Sequence, residues 1–212
     1  QEVGITFHVG SQLLDVTAWS DAISSAVLVA ESVRAFGVSV RFINIGGGFA
    51  AEYYDTDPKI NDSAAYVNKA LQEDPDIAFT AEPGRYIVAN SSVIVSSVIG
   101  VEQRAGKTWV YLDVGKFQAF LGADRYAHFP YKPLVISSDG TERHSEEHEH
   151  VTLTGPSCDS QDIIVKDTLL PAHIEVGDKL IFPNTGAYTL VYGSEFNGFP
   201  IPEVYYILYY ER

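Results

Sequence analysis

The chain holds one cysteine, Cys158, and no methionine in 212 residues. A single thiol excludes an intrachain disulfide framework. Basic residues are scarce: 14 Lys and Arg stand against 28 Asp and Glu, a formal net charge of −14. Phosphate binding needs clustered cations, so this balance argues against nucleic acid and against an anionic membrane surface. No apolar run reaches the roughly 18 residues that a membrane-crossing helix needs. No charged segment followed by an apolar one marks a signal peptide. What remains is a soluble, cytoplasmic protein. Hydrophobic residues make up 46%, which permits a real core and excludes disorder. A chain that opens at Gln1 inside a strand pattern, without methionine, reads as a processed or truncated piece of a longer protein.

Short apolar runs alternate with helical patterns in the first part. Ile5 to Val9 reads as a strand ended by Gly10-Ser11. Apolar residues at Ile23, Ala26, Val27, Ala30 and Val33 follow helical spacing, predicting a helix from about Trp19 to Phe36 that stops at Gly37. Val40 to Ile45 is a second strand, Asp62 to Leu71 a second helix, and Ile77 to Ala81 a third strand. This order implies βαβ units and a parallel sheet. Beyond about Ser91 strands dominate: Val93 to Val101, Thr108 to Val114, Val151 to Thr154, Lys179 to Phe182 and Pro202 to Tyr209, with a possible short turn near Phe117 to Tyr126. The fold class is therefore α/β plus all-β, with an α/β part over 1–91 and a β-sandwich or barrel over 92–212.

Chemistry concentrates where the three parallel strands end. There the chain reads His8-Val9-Gly10-Ser11, Gly46-Gly47-Gly48 and Glu82-Pro83-Gly84-Arg85. In (β/α)8 barrels active sites lie at the C-terminal strand ends, often with a phosphate site near the last strands. Glycines let backbone N–H groups approach an anion, and Arg85 and Ser11 can bond the same anion. Each segment has a structural alternative: a triple glycine is usually a plain loop, a strand-end histidine a packed one, and Glu-Pro-Gly-Arg a turn with a surface ion pair. Their occurrence at three successive strand ends favours a phosphate cradle with an acid and an imidazole.

Six ordered motifs carry a family resemblance: Phe7-His8-Val9-Gly10-Ser11, Ile45-Gly46-Gly47-Gly48-Phe49, Ala81-Glu82-Pro83-Gly84-Arg85-Tyr86, Gly155-Pro156-Ser157-Cys158-Asp159, Gly186-Ala187-Tyr188-Thr189 and Phe196-Asn197-Gly198-Phe199. Together they resemble the ornithine, arginine and diaminopimelate decarboxylases, fold-type III enzymes that use pyridoxal 5'-phosphate (PLP). The resemblance implies the C-terminal part of a PLP-binding (β/α)8 barrel over 1–91, followed by a β domain over 92–212. It implies that His8 stacks on the cofactor ring and that Glu82 pairs with the pyridine nitrogen. Ser11, Gly47, Gly48, Arg85 and Tyr188 would hold the cofactor, chiefly at its phosphate. Cys158 would be the catalytic proton donor, beside His8 and Glu82. Asp159, and more loosely Asp124, would bind the distal amine of the substrate, with Phe196 lining the pocket. Cys158 and Asp159 would reach the partner's active site, which implies a homodimer. The Cys-Asp pair and the Phe-Asn-Gly-Phe ending resemble ornithine-type enzymes, pointing to ornithine or lysine as substrate and to polyamine biosynthesis.

One feature departs from the family. None of the seven lysines, Lys59, Lys69, Lys107, Lys116, Lys132, Lys166 and Lys179, stands in the Lys-Ala-Asn-like context of the family's cofactor-bearing lysine. The chain thus carries about three barrel strands of eight, and the N-terminal half of the same enzyme is expected elsewhere. Three strands alone would leave open edges and an uncovered core. A non-catalytic homologue acting as a regulatory partner, a diaminopimelate decarboxylase and an amino-acid racemase are the alternatives. Glu82, where racemases generally place arginine against the ring nitrogen, argues against the last. His144 to His150 (HSEEHEH) reads as a solvent loop; His144, His148 and His150 lack a closed ligand spacing, so no metal is expected.

Overall fold

The computed structural model describes residues 2–72, 77–125 and 131–207. The chain divides into two compact units, Gln1–Asn90 and Ser91–Arg212.

The first unit runs β1 (Glu2–Thr6), α1 (Ala18–Ala35), β2 (Ser39–Asn44), α2 (Ile60–Ala70) and β3 (Ala78–Thr80), then a single helical turn, Arg85–Val88. The strands form one parallel sheet in the order β1-β2-β3, with Thr6 opposite Asn44 and Asn44 opposite Thr80. Local chemistry sets the helix ends. Asp15 accepts the Thr17 N–H and hydroxyl ahead of α1, and Gly37, at φ +78, returns its N–H to Arg34 O at 2.9 Å. Asp62 reaches back to the Lys59 N–H at 2.8 Å and starts α2. The α1 stripe of Trp19, Ile23, Ala26, Val27 and Ala30 packs with Val40 and Ile43 of β2, with Ile45 just past it and with Val67 of α2. Phe49, just past the glycine run, stacks on Trp19 at 4.8 Å and ties that run to the core.

The second unit runs β4 (Ile94–Arg104), β5 (Lys107–Leu112), β6 (Leu134–Ile136), β7 (His148–Thr154), β8 (Ile163–Pro171) and β9 (Lys179–Phe182). Its six strands share one sheet, ordered β6-β9-β4-β5-β7-β8, in which β5 and β7 run parallel and the other pairs antiparallel. Ala105 and Gly106, both at positive φ, make the tight turn between β4 and β5. Helical turns Lys116–Phe120 and Leu121–Arg125 pack Phe120 against Phe182 at 4.8 Å.

Several boundaries differ from the sequence reading. β1 lies earlier than Ile5 to Val9, because its parallel ladder with β2 ends at Thr6–Asn44; the Phe7 N–H still reaches Asn44 O at 3.1 Å before the chain turns away. The His-rich stretch is not all loop: His148, Glu149 and His150 open β7, paired with Pro171, Leu170 and Leu169 of β8. Strands β6 and β8 have no counterpart in that reading. The final expected strand does not form over 202–207, while 208 and 209 lie outside the described residues. Pro200 and Pro202 lack the N–H that a ladder needs, which accounts for the break there. Among the described residues, no helix is long and apolar enough to cross a membrane.

Candidate active site

The three sheet strands end side by side, so the residues after them meet. Ile45 donates to Thr80 O at 2.9 Å and Glu82 donates to Gly46 O at 2.9 Å, extending the β2–β3 pairing past β3. On the other side, Leu13 donates to Gly48 O at 2.9 Å. The Gln12 amide clasps Ala51, donating to its carbonyl at 2.6 Å and accepting its N–H at 2.9 Å. The glycine run is thus held between the loops after β1 and β3. A Cβ on Gly47 would lie 2.8 Å from Glu82 O and 3.3 Å from the His8 Nε2. One on Gly48, at φ +109, would lie 2.5 Å from Gly10 O. Side chains are excluded from this cradle by contact, and at Gly48 by backbone conformation as well.

His8 is exposed, and its Nδ1 accepts the Gly10 N–H at 2.9 Å. That contact leaves Nε2 to carry the proton of the neutral ring. Glu82 is exposed too, with Oε1 accepting the Asn44 Nδ2 at 2.8 Å. Ser11 is exposed in the bend after β1. Arg85 is buried at the start of its helical turn, and its Nη1 donates to the Tyr53 hydroxyl at 3.0 Å. Tyr53 is held in turn by its backbone N–H on Asp57 Oδ2 at 2.9 Å.

A second group of candidates lies in the second unit, around the turns Lys116–Arg125. Cys158 is exposed in the loop after β7, and Asp159 is half-buried, with its Oδ1 accepting the Gln161 N–H at 2.8 Å. Asp162, fully buried, fixes this loop: Oδ2 accepts the Ser157 hydroxyl at 2.6 Å and the Ser157 N–H at 3.0 Å, and Oδ1 accepts the Lys116 N–H at 2.7 Å. Phe196 packs on Phe117 with ring centroids 4.3 Å apart. Tyr188 is partly exposed at φ 56, a conformation unusual for a non-glycine residue. A Cβ on Gly122 would lie 2.5 Å from Tyr188 O, so glycine is required where the Leu121–Arg125 turn meets it. Asp124 falls in that turn, and its side chain lies outside the described residues.

The structure therefore brings His8, Gly47, Gly48 and Glu82 together, and gathers the Cys158–Asp159 loop and Phe196 around one pair of turns. Sequence reasoning missed Asn44, Tyr53 and Asp162. Asn44 stands immediately ahead of Ile45-Gly46-Gly47-Gly48, and Asp162 four residues past Cys158, so adjacency to a motif was the available signal. Among the described residues, no three His, Cys, Asp or Glu side chains converge as metal ligands.

Residues 1–89 match the family model described as pyridoxal-dependent decarboxylase, pyridoxal binding domain. The chain is 34% identical to a lysine/ornithine decarboxylase of Selenomonas ruminantium, over 93% of this chain and 48% of that protein. It is 33% identical to a diaminopimelate decarboxylase of Helicobacter pylori, over 94% of this chain and 48% of that protein. The crystal structure of the Paramecium bursaria Chlorella virus arginine decarboxylase superposes with a TM-score of 0.83 at 29% identity, covering 97% of this chain and 54% of that one. The chain spans about half the length of the curated relatives it matches.

Proposed function

We propose that this chain, whose residues 1–89 match the pyridoxal-dependent decarboxylase model, is the C-terminal part of a fold-type III enzyme that removes CO2 from a basic diamino acid, ornithine or lysine, leaving the diamine. The observation that carries the reading is the convergence of His8, the Gly47-Gly48 cradle and a held Glu82 carboxylate at three adjacent strand ends.

PLP fits this set. A flat pyridine ring needs an aromatic neighbour, and His8 is exposed with its ring orientation fixed by Gly10. A pyridinium N–H needs a carboxylate, and Glu82 is exposed with one oxygen already occupied. A phosphate needs backbone approach and cationic or hydroxyl donors, which Gly47, Gly48, Ser11, Arg85 and Tyr188 supply by type. When bound, PLP supplies an electron sink for the carbanion left by CO2 loss. With PLP bound, Glu82 would hold the proton of the ring nitrogen and His8 would cover the ring. Cys158 would deliver a proton to the substrate carbon after CO2 loss, and Asp159 and Asp124 would pair with the cationic tail of the substrate beside Phe196. In this reading two copies associate, each lending Cys158 and Asp159 to the other's site, and the N-terminal half contributes the cofactor-bearing lysine. The barrel, the β domain, a cytoplasmic location and a role in polyamine synthesis belong to the same proposal.

The test is product analysis on the complete protein with PLP, offering ornithine, lysine, arginine and diaminopimelate separately. Diamine and CO2 from ornithine or lysine support the reading. Turnover of diaminopimelate alone would move the substrate to that acid, and PLP-loaded protein that releases no CO2 from any of the four would point to a non-catalytic homologue.

A further inference from the structure

Asn44 closes β2 and uses both ends of its side-chain amide. Oδ1 accepts the Gly46 N–H at 2.8 Å, and Nδ2 donates to Glu82 Oε1 at 2.8 Å. The first contact decides the second: a backbone N–H can bond only the oxygen, so the NH2 group must face the carboxylate. Asn44 thus joins the glycine run, two residues on, to an acid 38 residues away. Backbone bonds keep that pair in register, because Ile45 donates to Thr80 O and Glu82 to Gly46 O, each at 2.9 Å. Asn44 is half-buried, whereas Glu82 is exposed and, without this bond, would sample several rotamers.

We propose that Asn44 is the positioning residue of the cofactor site, holding Glu82 by one oxygen so that the other meets the pyridinium N–H of PLP. The inference rests on the PLP reading above. An amide suits the task because its NH2 donates to a carboxylate oxygen while its carbonyl oxygen accepts a backbone N–H, and it brings no second negative charge. An aspartate at this position could keep the Gly46 contact but could face Glu82 only by sharing a proton with it or repelling it. The held oxygen also leaves Glu82 oriented before the cofactor arrives, which lowers the cost of binding.

The experiment uses the complete protein stripped of PLP and reloaded with PLP carrying 15N in the ring. Two signals are followed: cofactor affinity by absorbance titration, and the ring-nitrogen chemical shift against pH. Asn44→Ala is expected to weaken PLP binding about tenfold, the scale of one well-placed hydrogen bond to a charged group. Asn44→Asp keeps the acceptor for the Gly46 N–H and carries the test even where Asn44→Ala does not fold. It is expected to make the ring-nitrogen shift titrate within about pH 5–8, where the parent stays flat, because two facing carboxylates share a proton. Parent-like affinity together with a flat shift in Asn44→Asp overturns the inference. Glu82→Gln separates the two levels: if it leaves the ring-nitrogen shift of bound PLP unchanged, or if the parent binds no PLP, the cofactor reading itself fails and this inference with it.

Discussion

Asp162 holds Ser157 by two bonds from one carboxylate oxygen, accepting the Ser157 hydroxyl at 2.6 Å and its N–H at 3.0 Å, while the other oxygen takes the Lys116 N–H at 2.7 Å. Glycines at 115 and 155 leave room for that carboxylate, since a Cβ on either would collide with it. One buried acid therefore sets the position of the Cys158–Asp159 loop relative to the Lys116–Phe120 turn that carries Phe117.

Asp162→Ala is expected to lower the stability of the complete protein by about 3 kcal/mol or more, because three donors lose their acceptor in a buried place. Asp162→Asn, which keeps an acceptor oxygen, is expected to cost less. Urea unfolding measures both, and equal stability of parent and Asp162→Ala would refute the assigned role.

Gly48→Ala meets both a positive φ and the Gly10 carbonyl 2.5 Å from its Cβ, whereas Gly10→Ala meets open space at φ +104. Backbone strain of about 1–3 kcal/mol applies to each, and the collision only to the first. Gly48→Ala should therefore lose more thermal stability and more PLP affinity than Gly10→Ala; the reverse order would mean that the cradle is misassigned.

In the proposed cofactor site, His8→Ala should weaken PLP binding in a cofactor titration, since the ring would lose its aromatic cover. A parent-like affinity would remove His8 from the cofactor site.

On the proposed decarboxylation, Cys158→Ala in the complete protein should leave PLP affinity intact and reduce the rate of diamine formation by about 10²–10⁴-fold, the range of a lost general acid. Unchanged turnover would assign proton delivery to another group.

Asp15 titrates below the ordinary carboxylate range, first because the Thr17 hydroxyl bonds it and then because the Thr17 N–H does. A carboxyl whose folded value is depressed adds stability above its unfolded value and loses it as pH falls through the folded one. Acidification should therefore loosen the start of α1 in the parent, with a smaller effect in Asp15→Asn. An NMR titration of the Asp15 carboxyl that gives an ordinary midpoint would contradict this.

Much of the first unit was legible because its signals are local. The α1 stripe repeats at helical spacing, Gly37 ends it, and the strands are short apolar runs. Strand boundaries were less legible: β1 stops at Thr6 because its partner β2 ends at Asn44, a fact of register and not of the residues Phe7 to Val9. The second unit hid β8, although it pairs with the preceding β7, because Lys166, Asp167 and Thr168 interrupt its apolar run, and β6, whose partner β9 lies far along the chain, with Leu134 opposite Ile181. The same distance hid the groups that support the site. Glycines 46 to 48, His8 and Glu82 announce themselves by type and by their place after strands.

The sequence by itself determined the βαβ order, the helix caps and the chemical types at the strand ends, because each depends on neighbours a few residues apart. Only the tertiary structure decided that Asn44 grips Glu82 across 38 residues and that Asp162 grips Lys116 across 46. Hydrogen bonds between such distant groups exist only once sheet register and loop packing have brought donor and acceptor within about 3 Å of each other.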